Sequence, residues 1–409
     1  MFYPLISNDF LGSSTVVRAI FIAVAKMYED ADLRGACSGQ FAVQQQHRTV
    51  HDIYDCLGAR YFCLAYCMTF DSFWSLHASL CPHIIKAMQG MRSYRKVGGR
   101  VGGNYVLPPI PNGEITTSVR LACALRYFAG GCPYDIAPLY GISISEVHYS
   151  VWVIVNSINS CSDFVISYPE SLEEQKKIAM GFQNASTPGI SNCAGAIDGI
   201  LIWTYKPSLK DAKDSGIGQK KFLCGRKHKF GLNCQAVSDC RGRILDISIN
   251  YGGSSSDCIA FEGSDLYHRL QNGLMKKDGN KPRFILFGDN AYLNSSFMAT
   301  PYPNVSGDPE KKTKDDYNFY HSQLCIRVGC SFGMFVQRWG ILRSAFPRNI
   351  TIRKVIATVI ALTKLHNFCI DESSNAQEIL PSLEVDNNVL INRDDGYIEM
   401  VRINENETD

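Results

Sequence analysis

The feature that most constrains this chain is one carboxylate inside an apolar run. Asn192 to Tyr205 reads NCAGAIDGILIWTY: short, apolar, β-branched towards its end and bounded by polar residues. That pattern predicts a core β-strand with Asp198 in its middle. A buried carboxylate is costly unless it is paired or holds a cation. The bland alternative is an Asp-Gly turn at Asp198 and Gly199.

The segments beyond Asp198 narrow the choice. KFGLNCQAVSD, from Lys229, predicts a second strand. GRILDISINYGG, from Gly242, predicts a third, joined by a tight turn at Cys240-Arg241-Gly242. SSDCIAFEGSDLYHRLQNG predicts a helix started by the Ser255 to Asp257 cap. RFILFGDNAYL predicts a fourth strand ending in Gly288-Asp289, and two long helical segments come after it, from Asp315 and from Thr351. Strand, strand, strand, helix, strand, helix is the order of a ribonuclease-H-like α/β fold. Its first three strands form an antiparallel meander, and the fourth returns by a helical crossover to lie parallel to the first.

That topology brings Asp198 and Asp289 to one edge of the sheet, where ligands bind in α/β structures. Two adjacent carboxylates repel unless a cation lies between them. Mg²⁺ or Mn²⁺ suits such oxygen donors and also binds phosphates, and a metal pair can drive phosphodiester displacement. Asp198 and Asp289 are therefore the candidate catalytic and metal-binding residues.

Several ordered blocks, CAGAIDGILI, KFGLNCQAVSDCRGRILDISINYGGSSSD, FILFGDNAYL, TPY at Thr300, CSFGMFVQRWGILR and LTKLHNFCI, resemble those of PIF/Harbinger-type transposases, the DDE superfamily endonucleases. The resemblance runs from about residue 115 to 370. It implies a ribonuclease-H-like core in which two Asp and one Glu bind divalent metal, DNA cutting and joining at transposon ends, and a separate Myb-like DNA-binding partner. It maps the first two acids onto Asp198 and Asp289. Asp257 also falls on a motif position, and its cap role suffices to explain it, so it stands second. The third acid is missing. The pattern puts Glu four residues before Gly333, and that position is Gly329. No Asp or Glu occurs anywhere from Tyr317 to Ile370. The implied activity is an impaired metal-dependent nuclease; the alternative is a catalytically inactive DNA- or protein-binding factor.

The charge pattern fits a polyanion partner. From Asp371 to Asp409 there are 11 acids and 2 basic residues, leaving 39 basic and 28 acidic residues before them. This acidic C-terminal segment reads as a solvated, disordered tail. Between Lys206 and Lys229 there are eight Lys or Arg and two Asp. Of these, Lys220, Lys221, Arg226, Lys227 and Lys229 are the candidate nucleic-acid-binding residues, suited to holding a phosphate backbone without reading sequence. Arg338 and Trp339 read as packing residues.

Residues 1–110 predict a helical region with a basic, Gly-paired loop before Glu114. Residues 111–175 predict a helix-turn-helix-like unit, with Ser145 as the N-cap of its last helix. The N-terminal half of that helix offers Glu146, His148, Tyr149 and Ser150 but no Lys or Arg, a weak face for base readout. The catalytic domain is expected over 176–370 and the tail over 371–409. The sixteen cysteines have no C-x-x-C and no disulfide spacing, which fits reduced thiols. Cys224, His228, Cys234 and Cys240 match no standard zinc finger. The apolar runs at Ala19 and Val355 are too short to span a membrane. The expectation is a soluble nuclear or cytoplasmic protein, with an oligomer open.

Overall fold

The apolar run around Asp198 is β1, Cys193–Trp203, in the interior of a six-stranded sheet. The computed structural model describes residues 47–96, 114–187, 189–275, 284–304 and 309–375, with short pieces at 277–278, 281–282, 390–391 and 400–401. The first 46 residues of the expected helical region, most of the Gly-paired loop and most of the acidic tail lie outside the described residues. The described chain divides into two compact units, one up to Ser157 and one from Ile158.

In the second unit α6 (Leu172–Ala185) leads into β1. Then come α7 (Leu209–Asp214), β2 (Leu223–Cys224), β3 (Lys229–Ser238) and β4 (Ile244–Gly252). After α8 (Asp257–Glu262) and α9 (Asp265–Gln271) come β5 (Ile285–Phe287) and β6 (Met298–Ala299). α10 (Lys311–Arg338) and α11 (Ile352–Asn375) end the described part of the domain. The sheet order is β2-β3-β1-β5-β6, with β4 also on β3. β1 runs antiparallel to β3 and parallel to β5, and β3 runs antiparallel to β4. The meander, the crossover and the parallel return are those of a ribonuclease-H-like core.

Some details differ from the sequence reading. The single helix expected after Ser255 is two, α8 and α9, because the chain turns at Gly263 against Tyr251. A Cβ at Gly263 would lie 2.1 Å from the Tyr251 hydroxyl. Ser264 then caps α9 by accepting from the Tyr267 N–H. The long helix from Asp315 stops at Arg338, and a 3₁₀ turn, Gly340–Arg343, comes next.

One face of the sheet carries Ile197, Val237, Leu245 and Leu286 into a core with Tyr168, Phe261 and Tyr292. α10 packs on β1, β3 and β5, and α11 on β4. Trp339 is fully buried. Arg338 Nη1 donates to His366 Nδ1 (3.3 Å) and to the His366 carbonyl (3.2 Å). Burial, with the Arg338 cation beside it, pushes the His366 imidazole down to about 3, so the ring is neutral and its Nε2–H donates to the Gly242 carbonyl. Arg338 and Trp339 are packing residues, as expected.

The first unit is helical: α1 (Val50–Tyr66), α2 (Phe70–Lys96), α3 (Thr117–Phe128), α4 (Pro133–Tyr140) and α5 (Ile144–Ser160), whose last turn crosses the division. A capping box of Thr49 and Asp52 starts α1. α2 runs on to Lys96, so the first residues of the expected basic loop are helical. Gly141 ends α4 in the left-handed region (φ 68°), as a helix-turn-helix requires. The cap of α5 is Ser143, whose Oγ accepts from the Glu146 N–H (3.2 Å), rather than Ser145. Glu146 is held by Arg120 (3.0 Å), and Arg120 also lies over the Tyr149 ring. Two side chains of this weak readout face are thus engaged within the unit.

Asp246 on β4 gives a stability test. Burial pushes its carboxyl up to about 6, with Asp265 adding to the rise and Arg269 opposing it. The ionised form is therefore disfavoured in the fold. This cost is absent near pH 3, grows between about 4 and 6, and is complete at pH 7. Asp246→Asn is expected to stabilise the fold by about 2 kcal/mol at pH 7, with the gain fading below about pH 4. Urea denaturation at several pH values checks it; an equal effect at pH 3.5 and pH 7 contradicts it.

Candidate active site

The site is built on the parallel edge of β1. Ala196 of β1 pairs with Phe287 of β5. Asp198 and Asp289 each lie two residues further on, so the register brings both to one level where β5 ends. Asp198 pairs across β3 with Ala236, and its Oδ1 accepts from the Gly199 N–H (2.7 Å). The Asp-Gly step is therefore inside a strand and not a turn. Asp289 begins a turn instead: its Oδ1 accepts from the Ala291 N–H (2.9 Å) and its carbonyl from the Tyr292 N–H (3.3 Å).

Asp257 joins them. Ser256 is the N-cap of α8, accepting from the Ile259 N–H, so the expected cap role of Asp257 is not its own. Its Oδ1 instead accepts from Asn233 Nδ2 (3.0 Å) and Gln235 Nε2 (2.8 Å). Gln235 Oε1 in turn accepts from the Tyr292 hydroxyl. Gly199 pairs with Gln235. A Cβ at Gly199 would lie 2.2 Å from Asp257 Oδ1 and 2.5 Å from Gln235 Nε2. The glycine after Asp198 thus makes room for the Asp257 carboxylate. The Tyr292 hydroxyl registers the whole cluster. Burial raises its pKa well above the usual value, and Asp198, Asp257 and Asp289 add to the rise.

The five candidate basic residues lie on one stretch. Lys220 and Lys221 are in a 3₁₀ turn, Gln219–Phe222, anchored by buried Phe222. Arg226 and Lys227 form the β2–β3 turn, where His228 adopts φ 49°. Lys229 opens β3 with its ammonium 3.4 Å from the centre of the Trp203 ring. Lys227 is half-buried, and burial and Arg226 lower its pKa, while Asp198 and Asp257 pull it back up. The basic turn therefore stands within electrostatic reach of two of the three acids.

Gly329 lies in the interior of α10, and a Cβ there would meet nothing within 4 Å. The helix leaves room for a longer side chain. Earlier on α10, His321 packs against Phe287 and feels the Asp289 charge. Its Nε2 is bonded to the Ala299 carbonyl (3.1 Å) and it is 2% exposed, so it does not supply the third ligand. Among the described residues, no three His, Cys, Asp or Glu side chains stand close enough to hold a metal ion. Cys224, Cys234 and Cys240 are spread from one end of β3 to the other, and no disulfide joins any of the described cysteines. The donors at Asp198 and Asp289 are carboxylate oxygens, which fit a hard divalent cation. No helix among the described residues is long and apolar enough to cross a membrane.

Asn233, Gln235 and Tyr292 were not singled out from the sequence. Asn233 and Gln235 are two apart in a core strand and so share a face. A polar pair on one face of an otherwise apolar strand was the available signal.

Gly199→Ala tests this packing. Asp257 and Gln235 are held by hydrogen bonds and cannot give way freely. The variant is expected to lose about 1–3 kcal/mol of stability, the cost of overpacking. Combining it with Asp257→Ala should recover part of that loss in chemical denaturation. Full stability of Gly199→Ala alone contradicts the contact.

Comparison with known proteins agrees with the geometry. Residues 197–367 match the family described as DDE superfamily endonuclease. The chain is 27% identical over 263 residues to the ALP1-like protein of Arabidopsis thaliana, covering 62% of this chain and 60% of that one. It is 22% identical over 273 residues to "Putative nuclease HARBI1" of Homo sapiens, covering 66% of this chain and 72% of that one. The match thus spans less than two thirds of the Arabidopsis relative's length. No solved structure matches the chain significantly. The chain is thus similar to the DDE superfamily endonucleases over residues 197–367 and distantly homologous to the human and Arabidopsis proteins.

Proposed function

We propose that the chain is a DDE-type endonuclease acting on DNA phosphodiesters with a divalent metal, Mg²⁺ or Mn²⁺, and that Gly329 impairs it. The observation that carries this reading is the β1–β5 register, which brings Asp198 and Asp289 to one level, with the basic β2–β3 turn within electrostatic reach of Asp198. Asp198 and Asp289 would hold the cation. When bound, the metal polarises the phosphoryl group and eases departure of the leaving oxygen. The protein's own share is positional. The sheet fixes the two carboxylates, the Asn233–Gln235–Tyr292 network fixes Asp257, and Lys220, Lys221, Arg226, Lys227 and Lys229 hold the phosphate backbone electrostatically. A Myb-like partner supplying sequence recognition, and a nuclear location, belong to the same reading.

A specific observation favours the second reading, an inactive DNA- or protein-binding factor. The third acidic position is Gly329, and glycine inside a helix costs about 1 kcal/mol against Ala, so helix stability does not account for its presence.

Nicking of plasmid DNA with Mn²⁺ separates the two. Gly329→Glu is expected to nick well above wild type, whereas Gly329→Ala gains helix stability without the carboxylate and stays at the wild-type level. Asp198→Ala and Asp289→Ala should abolish whatever cutting Gly329→Glu shows. If no variant cuts yet DNA still binds, the inactive factor is the correct reading.

A further inference from the structure

The parallel edge that carries the acids continues past them. Phe287 of β5 pairs with Ala196 of β1 on one side and with Ala299 of β6 on the other. Asp198, Asp289 and Pro301 each lie two residues beyond this row, so the loop leaving β6 starts at the same end of the sheet as the acids, where ligands bind in α/β folds. β3 and β2, with the basic turn, lie on the other side of β1. The loop after β6 therefore flanks the acids from the side opposite the basic turn.

That loop reads Thr-Pro-Tyr-Pro and presents Tyr302, which is 47% exposed. A single exposed apolar side chain is ordinary. This one is held in place. Pro301 has a fixed φ, and Pro303 confines Tyr302 to extended backbone. Both backbone polar groups of Tyr302 bond to one side chain, Asn318 of α10. Its Oδ1 accepts from the Tyr302 N–H (2.8 Å) and its Nδ2 donates to the Tyr302 carbonyl (3.0 Å). The Tyr302 ring stands edge-to-face with Tyr317, centroids 5.1 Å apart, and Lys314 Nζ lies 5.8 Å from its centre. Tyr317 meets His321 (5.6 Å), and His321 packs on Phe287 (5.2 Å). Three ring contacts thus tie the exposed Tyr302 to the strand that leads to Asp289. Exposed backbone groups bond to water at little loss, so the clamp adds order more than stability. A ring fixed before its partner arrives binds at a lower entropic cost.

The charge around the loop decides which part of a nucleic acid it fits. Residues 310–316 carry three Lys and three acids, and Lys314 is paired with Glu310 (3.4 Å). This flank is neutral, unlike the basic turn across the acids, and does not suit a phosphate. A neutral, pre-set aromatic ring suits the flat face that any unpaired base offers. We propose that Tyr302 stacks on an unpaired base of the DNA strand that crosses the acids, with Asn318 as the residue that positions it. The inference rests on the endonuclease reading.

Binding of the full chain to oligo(dT) and to a duplex of equal length, followed by fluorescence anisotropy against salt, tests it. Tyr302→Ala is expected to bind oligo(dT) roughly tenfold more weakly with an unchanged salt slope, because stacking releases no counterions. Its duplex affinity should stay at the wild-type level. Tyr302→Phe keeps the ring and should match wild type on both. Asn318→Ala should lose part of the oligo(dT) affinity, and nothing further in a Tyr302→Ala background. Wild-type affinity of Tyr302→Ala for oligo(dT) overturns the inference and leaves the endonuclease reading intact. An equal loss on both DNAs, or a Tyr302→Phe as weak as Tyr302→Ala, overturns it too, since neither result is stacking on an unpaired base. If wild type binds neither DNA, the endonuclease reading fails and takes this inference with it.

Discussion

Asp198 and Asp289 reach one level only because β1 is hydrogen-bonded on both edges, antiparallel to β3 and parallel to β5. Side-chain direction alternates along a strand, so a slip of one residue would carry Asp198 to the opposite face. The β1–β3 ladder runs unbroken from Ala196–Ser238 to Trp203–Gly231 and resists that slip. On the other edge the pairing is short. β5 has three residues and its register to β1 shifts between Cys193 and Ala196. The position of Asp289 is therefore secured less by the ladder than by its own turn, which closes on Ala291 and Tyr292 and packs the Tyr292 ring into the core.

The same register explains why a glycine comes directly after Asp198. Residues 198 and 199 point to opposite faces, so one step offers a carboxylate on one side and open space on the other. Asp257 fills that space and is fixed by Asn233 and Gln235 from the neighbouring strand. Removing Asp257 would leave two buried amide donors short of an acceptor, a cost comparable to a lost charged hydrogen bond. The acid thus has a structural role in this fold even before any cation is considered.

The order of β1, β3, β4 and β5 and the parallel return of β5 were legible in the sequence, because apolar runs bounded by turn residues carry that information locally, whereas the two-residue strands β2 and β6 were too short to show a pattern. Helix α6 was not singled out, and α8 and α9 were merged. The break at Gly263 depends on Tyr251, a contact across the domain that no local pattern reveals. Asp257 was misassigned for a related reason. Ser-Ser-Asp offers three possible caps, and only the tertiary position of Asn233 and Gln235 decides that Ser256 caps while Asp257 turns away. Ser143 replaced Ser145 as the cap of α5 in the same way: both are good caps, and the backbone path after Gly141 selects the earlier one. A cavity between segments 204–211 and 346–355 was invisible, because its two walls are some 140 residues apart in sequence.

The charges around Asp198 bear on what a residue at position 329 would do. Asp198, Asp257 and Asp289 all act on the Tyr292 hydroxyl. Lys227 lies close enough to Asp198 and Asp257 for both charges to act on its ammonium. A glutamate at position 329, if α10 carries it to the cluster, adds a further negative charge that only a divalent cation would balance. Gly329 adds no charge, and the surrounding fold loses no packing, because the space beside the glycine is open. Glycine at position 329 therefore costs the sheet no packing contact. The basic turn and the two register-fixed carboxylates persist whether or not the chain still cuts, so the fold is common to both readings and the chemistry turns on one helix position.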